Sequence, residues 1–125
     1  MTTVYLTVAE VLAIHEDQIN RYGGSAGVRD MGQLEAALFR PQTGYYRDIV
    51  AEAAAIWESL SQNHPFVDGN KRAAFAVTVT FLAVNGVALD ASDDAAIKFL
   101  LPLYDRSALA FDKLEAWLRK NTNPI

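Results

Sequence analysis

An all-α fold of about six helices is what this sequence predicts. Three observations carry that expectation. Apolar residues recur at helical spacing along most of the chain, helix-capping residues stand just ahead of the periodic runs, and clusters of glycine or proline fall between several of them. With 125 residues, 51% of them hydrophobic and 21% charged, the chain can bury one core but not two, so residues 1–125 read as a single globular domain.

The elements follow in order. Thr7 with Glu10 three residues later is a capping box, and Leu6 and Val11 are placed to form its apolar staple. A helix over about 8–20 should bury Val8, Val11, Leu12 and Ile19; His15 on it reads as a packed or exposed polar residue with no evident partner. The glycines of "RYGGSAG" end that helix. Asp30 caps a second one, with Leu34, Ala37 and Leu38 along its inner face and Pro41 closing it, and "PQTGYY" makes a short connection. From Asp48 to Gln62, "DIVAEAAAIWESLSQ" is rich in good helix formers and lines up Ile49, Ala53, Ile56 and Leu60. Pro65 stops it near Asn63, because the residue before a proline is driven from the right-handed helical region.

The next run, "AVTVTF", alternates like a strand and carries β-branched residues. Against a strand, neither glycine nor proline interrupts Lys71 to Asn85, a length normal for a helix, and Gly86 follows as a C-terminal cap. A run apolar on nearly every side predicts a helix buried in the centre of the domain. Two more helices complete the chain, one capped by Ser92 with Asp93 and Asp94 in its first turn, one carrying Phe111, Leu114, Trp117 and Leu118.

Charge and composition limit the function classes. Eleven basic and 15 acidic residues leave a net charge of −4, so nothing global draws this chain to nucleic acid or an anionic membrane, and any basic patch must be local. No cysteine occurs, which removes disulfides and thiolate metal sites and suits a reducing compartment. The N-terminal "MTTVYLTVAEVL" lacks the basic segment of a secretory signal, and the longest mostly apolar run, Ala73 to Val84, is too short to span a bilayer. The expectation is a soluble cytoplasmic domain with no membrane or direct nucleic-acid partner.

Functional chemistry concentrates in "HPFVDGNKR", His64 to Arg72. With the fourth helix starting near Gly69, "DGNKR" is its first turn, where unpaired N–H groups and the positive end of the helix dipole attract phosphate. Gly69 permits close approach of an anion, Asn70 offers an amide donor, and Lys71 and Arg72 add two cations. Asp68 is the hard oxygen ligand that a Mg2+ carrying nucleotide phosphates needs. His64 has the side chain that takes up a hydroxyl proton near neutral pH, and Phe66 reads as the loop's apolar anchor. Singly, each has a plainer reading: Asp68 an N-cap, His64-Pro65 a turn, Lys71-Arg72 a solvated face. Together they are a kit for transferring part of a nucleotide to a hydroxyl group.

These nine residues resemble the signature of the Fic family, H-x-F-x-(D/E)-G-N-G-R followed by two residues and a second arginine, and more closely that of its death-on-curing (Doc) toxin branch. "HEDQINRYGG" and "MGQLEAALFRP" are similar to the N-terminal segments of that branch, so the resemblance covers the whole chain. It implies a Fic fold binding ATP and Mg2+, with His64 as general base, Asp68 as metal ligand, Gly69 and Asn70 in the anion cradle and Arg72 as a phosphate clamp. Two positions depart from the wider pattern: Lys71 replaces the second glycine, and Phe75 stands where the second arginine belongs. Typical Fic enzymes transfer AMP. The Doc branch, which carries the lysine, moves the γ-phosphate to a threonine of translation factor Tu and stops protein synthesis, so the resemblance favours a kinase over an adenylyltransferase. A third reading, from another class, is a non-catalytic module whose loop only holds a nucleotide or peptide.

The resemblance also speaks to partners. Many Fic proteins carry an inhibitory helix with the pattern (S/T)-x-x-x-E-(G/N). The six glutamates here follow Leu6, Leu12, Met31, Asp48, Ala54 and Phe111 at that spacing, none of them serine or threonine. Restraint is then expected from an antitoxin whose C-terminal segment folds as a helix into a groove of the toxin and covers the approach to His64. "RPQTGYYRD" lies where the family's substrate-aligning flap would be, with a plain loop the equal alternative.

Overall fold

A computed structural model describes residues 2–125. Among them, α1 (Val8–Tyr22), α2 (Met31–Phe39), a 3-10 turn (Arg40–Thr43), α3 (Ile49–Asn63) and α4 (Asn70–Val84) succeed one another. They are followed by β1 (Val87–Leu89), α5 (Asp93–Asp105), α6 (Phe111–Asn121) and β2 (Thr122–Pro124). The fold is all-α as expected, with six helices and one small antiparallel ribbon in which Val87 faces Pro124 and Leu89 faces Thr122. No described helix is long and apolar enough to cross a membrane.

The caps form where their residue types stand. Thr7 accepts from Glu10 N at 3.2 Å and Glu10 accepts from Thr7 N at 2.9 Å, closing the capping box. Asp30, Asp48 and Ser92 accept from the amides of Gln33, Ala51 and Ala95. These bonds satisfy donors that a helix start otherwise leaves free.

Two helices make the centre. α4 sets Ala73, Ala74, Val77, Thr78, Phe81 and Leu82 into the core, while its other face, with Phe75, Ala76 and Val79, is only half-buried. α3 is buried more completely, along almost every residue from Ala51 to Ser61. Its small Ala53, Ala54 and Ala55 let α2, α4 and α6 approach closely on different sides. Trp57 fills the space that remains, against Phe75, Phe99 and Trp117 with ring centroids 5.5, 6.3 and 5.8 Å away. The strand-like "AVTVTF" is helical, and Thr78 and Thr80 return their hydroxyls to the carbonyls of Ala74 and Ala76, one turn back, so neither leaves an unpaired polar group. The ribbon had no counterpart in the sequence reading, since two three-residue strands are too short to show a period.

One ion pair ties the start of α3 to α6. Both Asp48 oxygens accept from Arg119 at 3.0 Å, and this holds the Asp48 carboxyl below the usual carboxylate range. A carboxyl depressed in the folded state contributes stability above its unfolded pKa, about 3.9, and that contribution disappears as pH falls through the lower folded value. Asp48→Asn keeps a good helix cap and removes the charge. With Asp48 45% and Arg119 31% exposed, solvent screening limits the effect. The loss expected in urea unfolding at pH 7 is under about 1 kcal/mol. The difference from the parent should narrow as the pH is taken below 4; a gap that widens in acid would show that the charge is not its source.

Candidate active site

The site begins where α3 stops. His64 leaves the right-handed helical region as expected before Pro65, but enters the left-handed one, at φ 48° and ψ 57°, rather than the extended region. The carbonyls this turn exposes are taken by Arg29, whose Nε donates to His64 O at 2.6 Å and whose Nη2 donates to Asn63 O at 2.8 Å. The segment around Arg29 also grips the loop through its backbone. Arg29 N and Asp30 N donate to Pro65 O, Val67 N donates to Gly27 O, and Val28 pairs with Phe66 as an isolated bridge. His64 itself is exposed.

Phe66 is the anchor the sequence predicts, 1% exposed. Its ring lies parallel to His15, with centroids 3.8 Å apart and 5° between planes. Its N–H donates to Asn70 Oδ1 at 2.9 Å, and its carbonyl accepts from Asn70 Nδ2 at 3.0 Å. Asn70 therefore turns both ends of its amide inward to close the loop, where the sequence reading had the amide facing an anion.

Asp68, Gly69 and the start of α4 form the exposed side. Asp68 Oδ2 accepts from Ser25 N at 3.1 Å and Oδ1 from Gly69 N at 2.8 Å; these two donors, with smaller help from Arg72 and His15, hold its carboxyl below the ordinary range. Gly69 is the N-cap at φ 71° and no side chain caps α4, so the amides of its first turn have no capping acceptor. Gly24 comes so close that a Cβ there would stand 2.7 Å from Asp68 Oδ2 and 3.3 Å from Arg72 Nη2. Arg72 Nη2 donates to Gly23 O at 2.9 Å, and the guanidinium carbon lies 5.8 Å from the centre of the Tyr22 ring. Lys71 Nζ rests 4.3 Å from the centre of the Tyr104 ring.

These donors suit a nucleotide and its metal. An uncapped helix start beside an ionised carboxylate and two cations supplies N–H donors and charge for phosphate oxygens and one oxygen ligand for a hard cation. Among the described residues no group of three or more His, Cys, Asp or Glu converges as a cage. A Mg2+ at Asp68 would therefore complete its shell with phosphate oxygens and water, as Mg2+ in nucleotide sites does.

An open cleft of about 700 Å³ runs between α1, α4 and α5, walled by Phe75, Val79, Ile97, Leu100 and Leu101. It reaches the motif at Lys71 and Arg72, and His64 is not part of its wall. The "RPQTGYYRD" segment is the 3-10 turn and the stretch after it. Arg40 fastens it by donating to Tyr46 Oη at 2.6 Å, Glu58 at 2.9 Å and Ser59 at 2.8 Å, while Tyr45 stands 84% exposed.

His15, Ser25 and Arg29 escaped the sequence reading as site residues. His15 carried one usable signal: with Val11 and Ile19 it occupies the inner stripe of α1, where a polar side chain needs a partner. Ser25 and Arg29 act through loop backbone contacts that no periodicity announces.

Helix order and the loop between α3 and α4 define a small helical domain, and comparison with known proteins makes the class specific. Residues 5–82 match the Fic/DOC family, and the chain belongs to it. It is 50% identical over 78 residues to Toxin Doc of Mycolicibacterium smegmatis, which is 58% of this chain and 60% of that protein, so the match spans less than two thirds of the relative's length. It is 33% identical over 87 residues to Protein kinase doc of Escherichia phage P1, covering 66% of this chain and 69% of the phage protein.

The approach of Gly24 to Asp68 gives a direct check. Gly24→Ala adds a methyl group where 2.7 Å is available, at a φ of 112°, so the Asp68 carboxylate must shift from its place on the Ser25 amide. The Asp68 carboxyl titration, followed by carbon NMR, should then move up toward the ordinary value of about 3.9. An unmoved titration would mean that Ser25 is not what holds the carboxylate.

Proposed function

We propose that this chain is the toxin of a toxin–antitoxin pair. In this reading it moves the γ-phosphate of ATP to a serine or threonine hydroxyl of a translation factor of the elongation factor Tu type, and so arrests translation in the cytoplasm. The observation that carries the proposal is the uncapped first turn of α4, set between the Asp68 carboxylate and the Lys71 and Arg72 cations, in a family member whose relatives are named as a toxin and a protein kinase.

In this reading each residue of the motif has a role. His64, exposed at the end of α3, accepts the proton of the acceptor hydroxyl as its oxygen bonds to the γ-phosphorus. The bond from that phosphorus to the bridging oxygen breaks, and ADP leaves with the electron pair. The first-turn amides and Arg72 receive the phosphate oxygens. Asp68 would hold Mg2+, which supplies neutralising charge to the phosphates when bound. Positioning and charge stabilisation are most of what such a transfer requires of a protein.

Adenylyl transfer is the second reading, and the place of Lys71 speaks for it. The side chain that departs from the family's glycine lies on Tyr104, in the wall of the cleft. The leaving group separates the two: a kinase releases ADP, an adenylyltransferase pyrophosphate, and the mass gained by the target differs accordingly. ADP release with a phosphoryl-sized gain is expected; an adenylyl-sized gain sinks the kinase reading, and no turnover leaves a binding module.

His64→Ala should fold as the parent does and lose transfer by a factor on the order of 10² or more. Cells expressing it should grow, whereas undiminished toxicity at equal expression would remove the histidine from the mechanism. For the partner, the reading commits to an antitoxin segment docked as a helix in the α1–α4–α5 cleft, on the strength of exposed apolar residues there such as Ile97, 51% exposed, and Leu101, 54% exposed. Ile97→Lys should weaken binding of the adjacent gene's product by about tenfold or more in calorimetry, with transfer by the free protein unchanged. Equal affinity would move the docking site off this cleft.

A further inference from the structure

His15 sits where α1 meets the motif loop. It is 4% exposed, lies face to face with the Phe66 ring, and brings Nε2 to 2.8 Å from the main-chain oxygen of Asp68. It also stands 3.7 Å from where a Cβ of Gly69 would be. A carbonyl oxygen only accepts, so Nε2 carries the hydrogen and donates it. We infer that His15 is a positioning residue: by holding the Asp68–Gly69 peptide and the Phe66 ring, it sets the orientation of the Asp68 carboxylate and of the amides that begin α4. The inference deepens the proposed phosphoryl transfer and rests on that reading for its effect on catalysis.

The geometry of one peptide group links these atoms. Asp68 C=O and Gly69 N–H belong to the same planar unit and point to opposite sides. Drawing the oxygen inward to His15 therefore turns the N–H outward, where Asp68 Oδ1 accepts it at 2.8 Å. That bond helps fix the carboxylate in the rotamer that Ser25 N also grips. The support itself is firm, since α1 is closed by its capping box and carries Val11 and Ile19 into the core on either side of His15. An apolar residue of equal volume would fill the space but leave the Asp68 oxygen unpaired and the peptide free to rotate.

Substitutions separate donor from ring. His15→Phe keeps a flat ring on Phe66 and removes the donor; His15→Gln restores an N–H at similar reach without the ring; His15→Asn has the amide but not the reach. With Mg·ATP and purified translation factor Tu, loss of folded molecules would lower kcat and leave both KM values alone. A loosened Asp68–Gly69 peptide should instead raise the KM for ATP by about tenfold and leave that for the acceptor unchanged. Hydrogen exchange at the Gly69 amide should quicken by a similar factor in His15→Phe and return toward the parent in His15→Gln. Should His15→Phe fail to fold, the contrast between His15→Gln and His15→Asn carries the same test. Parental exchange and parental KM in the donor-less variants would overturn the inference. A parent protein that transfers nothing would sink the proposed reaction instead, and the exchange rates would still decide the role of His15.

Discussion

The main chain of Phe66 donates its N–H to Asn70 and accepts the Asn70 amide hydrogen in return, while its ring is held flat against His15. This small closed unit is what the site depends on. It leaves no buried backbone group of Phe66 unpaired and turns the chain from the end of α3 into the start of α4 within a few residues. The polar side chains of the motif, His64, Asp68 and Arg72, are then carried on the outside of a loop whose inside is fully occupied. Arg29 and the backbone of residues 27–30 grip the same loop from the other side, so the motif hangs between α1 and the α1–α2 connection.

α4 has two faces with different duties. One lies in the core against α3, and the other, led by Phe75, forms part of the cleft wall. Phe75 also packs on Trp57, which in turn meets Trp117 of α6. The residue that replaces the family's second arginine is thus a packing residue joining core to cleft. The cleft meets the motif at Lys71 and Arg72, so an occupant there would touch the start of α4 and not His64.

Much of the fold was legible because its signals are local. Thr7, Asp30, Asp48 and Ser92 each cap the helix that follows them, and the inner stripes of α1, α2 and α6 hold Val11, Leu34 and Leu114 in the core. The depth of α3 was harder to read, since a run of alanines marks a helix without saying how many sides are covered. The motif was legible as a cluster of residue types, but its internal wiring was not. That Asn70 faces inward, that Lys71 rests on Tyr104, and that Ser25 grips Asp68 all depend on contacts between segments far apart in sequence. Such contacts leave no period to find.

The left-handed backbone at His64 has a consequence of its own. For an L-residue that conformation costs roughly 1–2 kcal/mol, and glycine and asparagine enter it most readily. Neither of those carries an imidazole. Stability and the imidazole therefore pull this one position in opposite directions: selection for thermal resistance alone would tend to trade the histidine for a residue that relaxes the turn. A version of this fold more stable by roughly that amount is one substitution away, and the histidine-bearing chain is the less relaxed of the two.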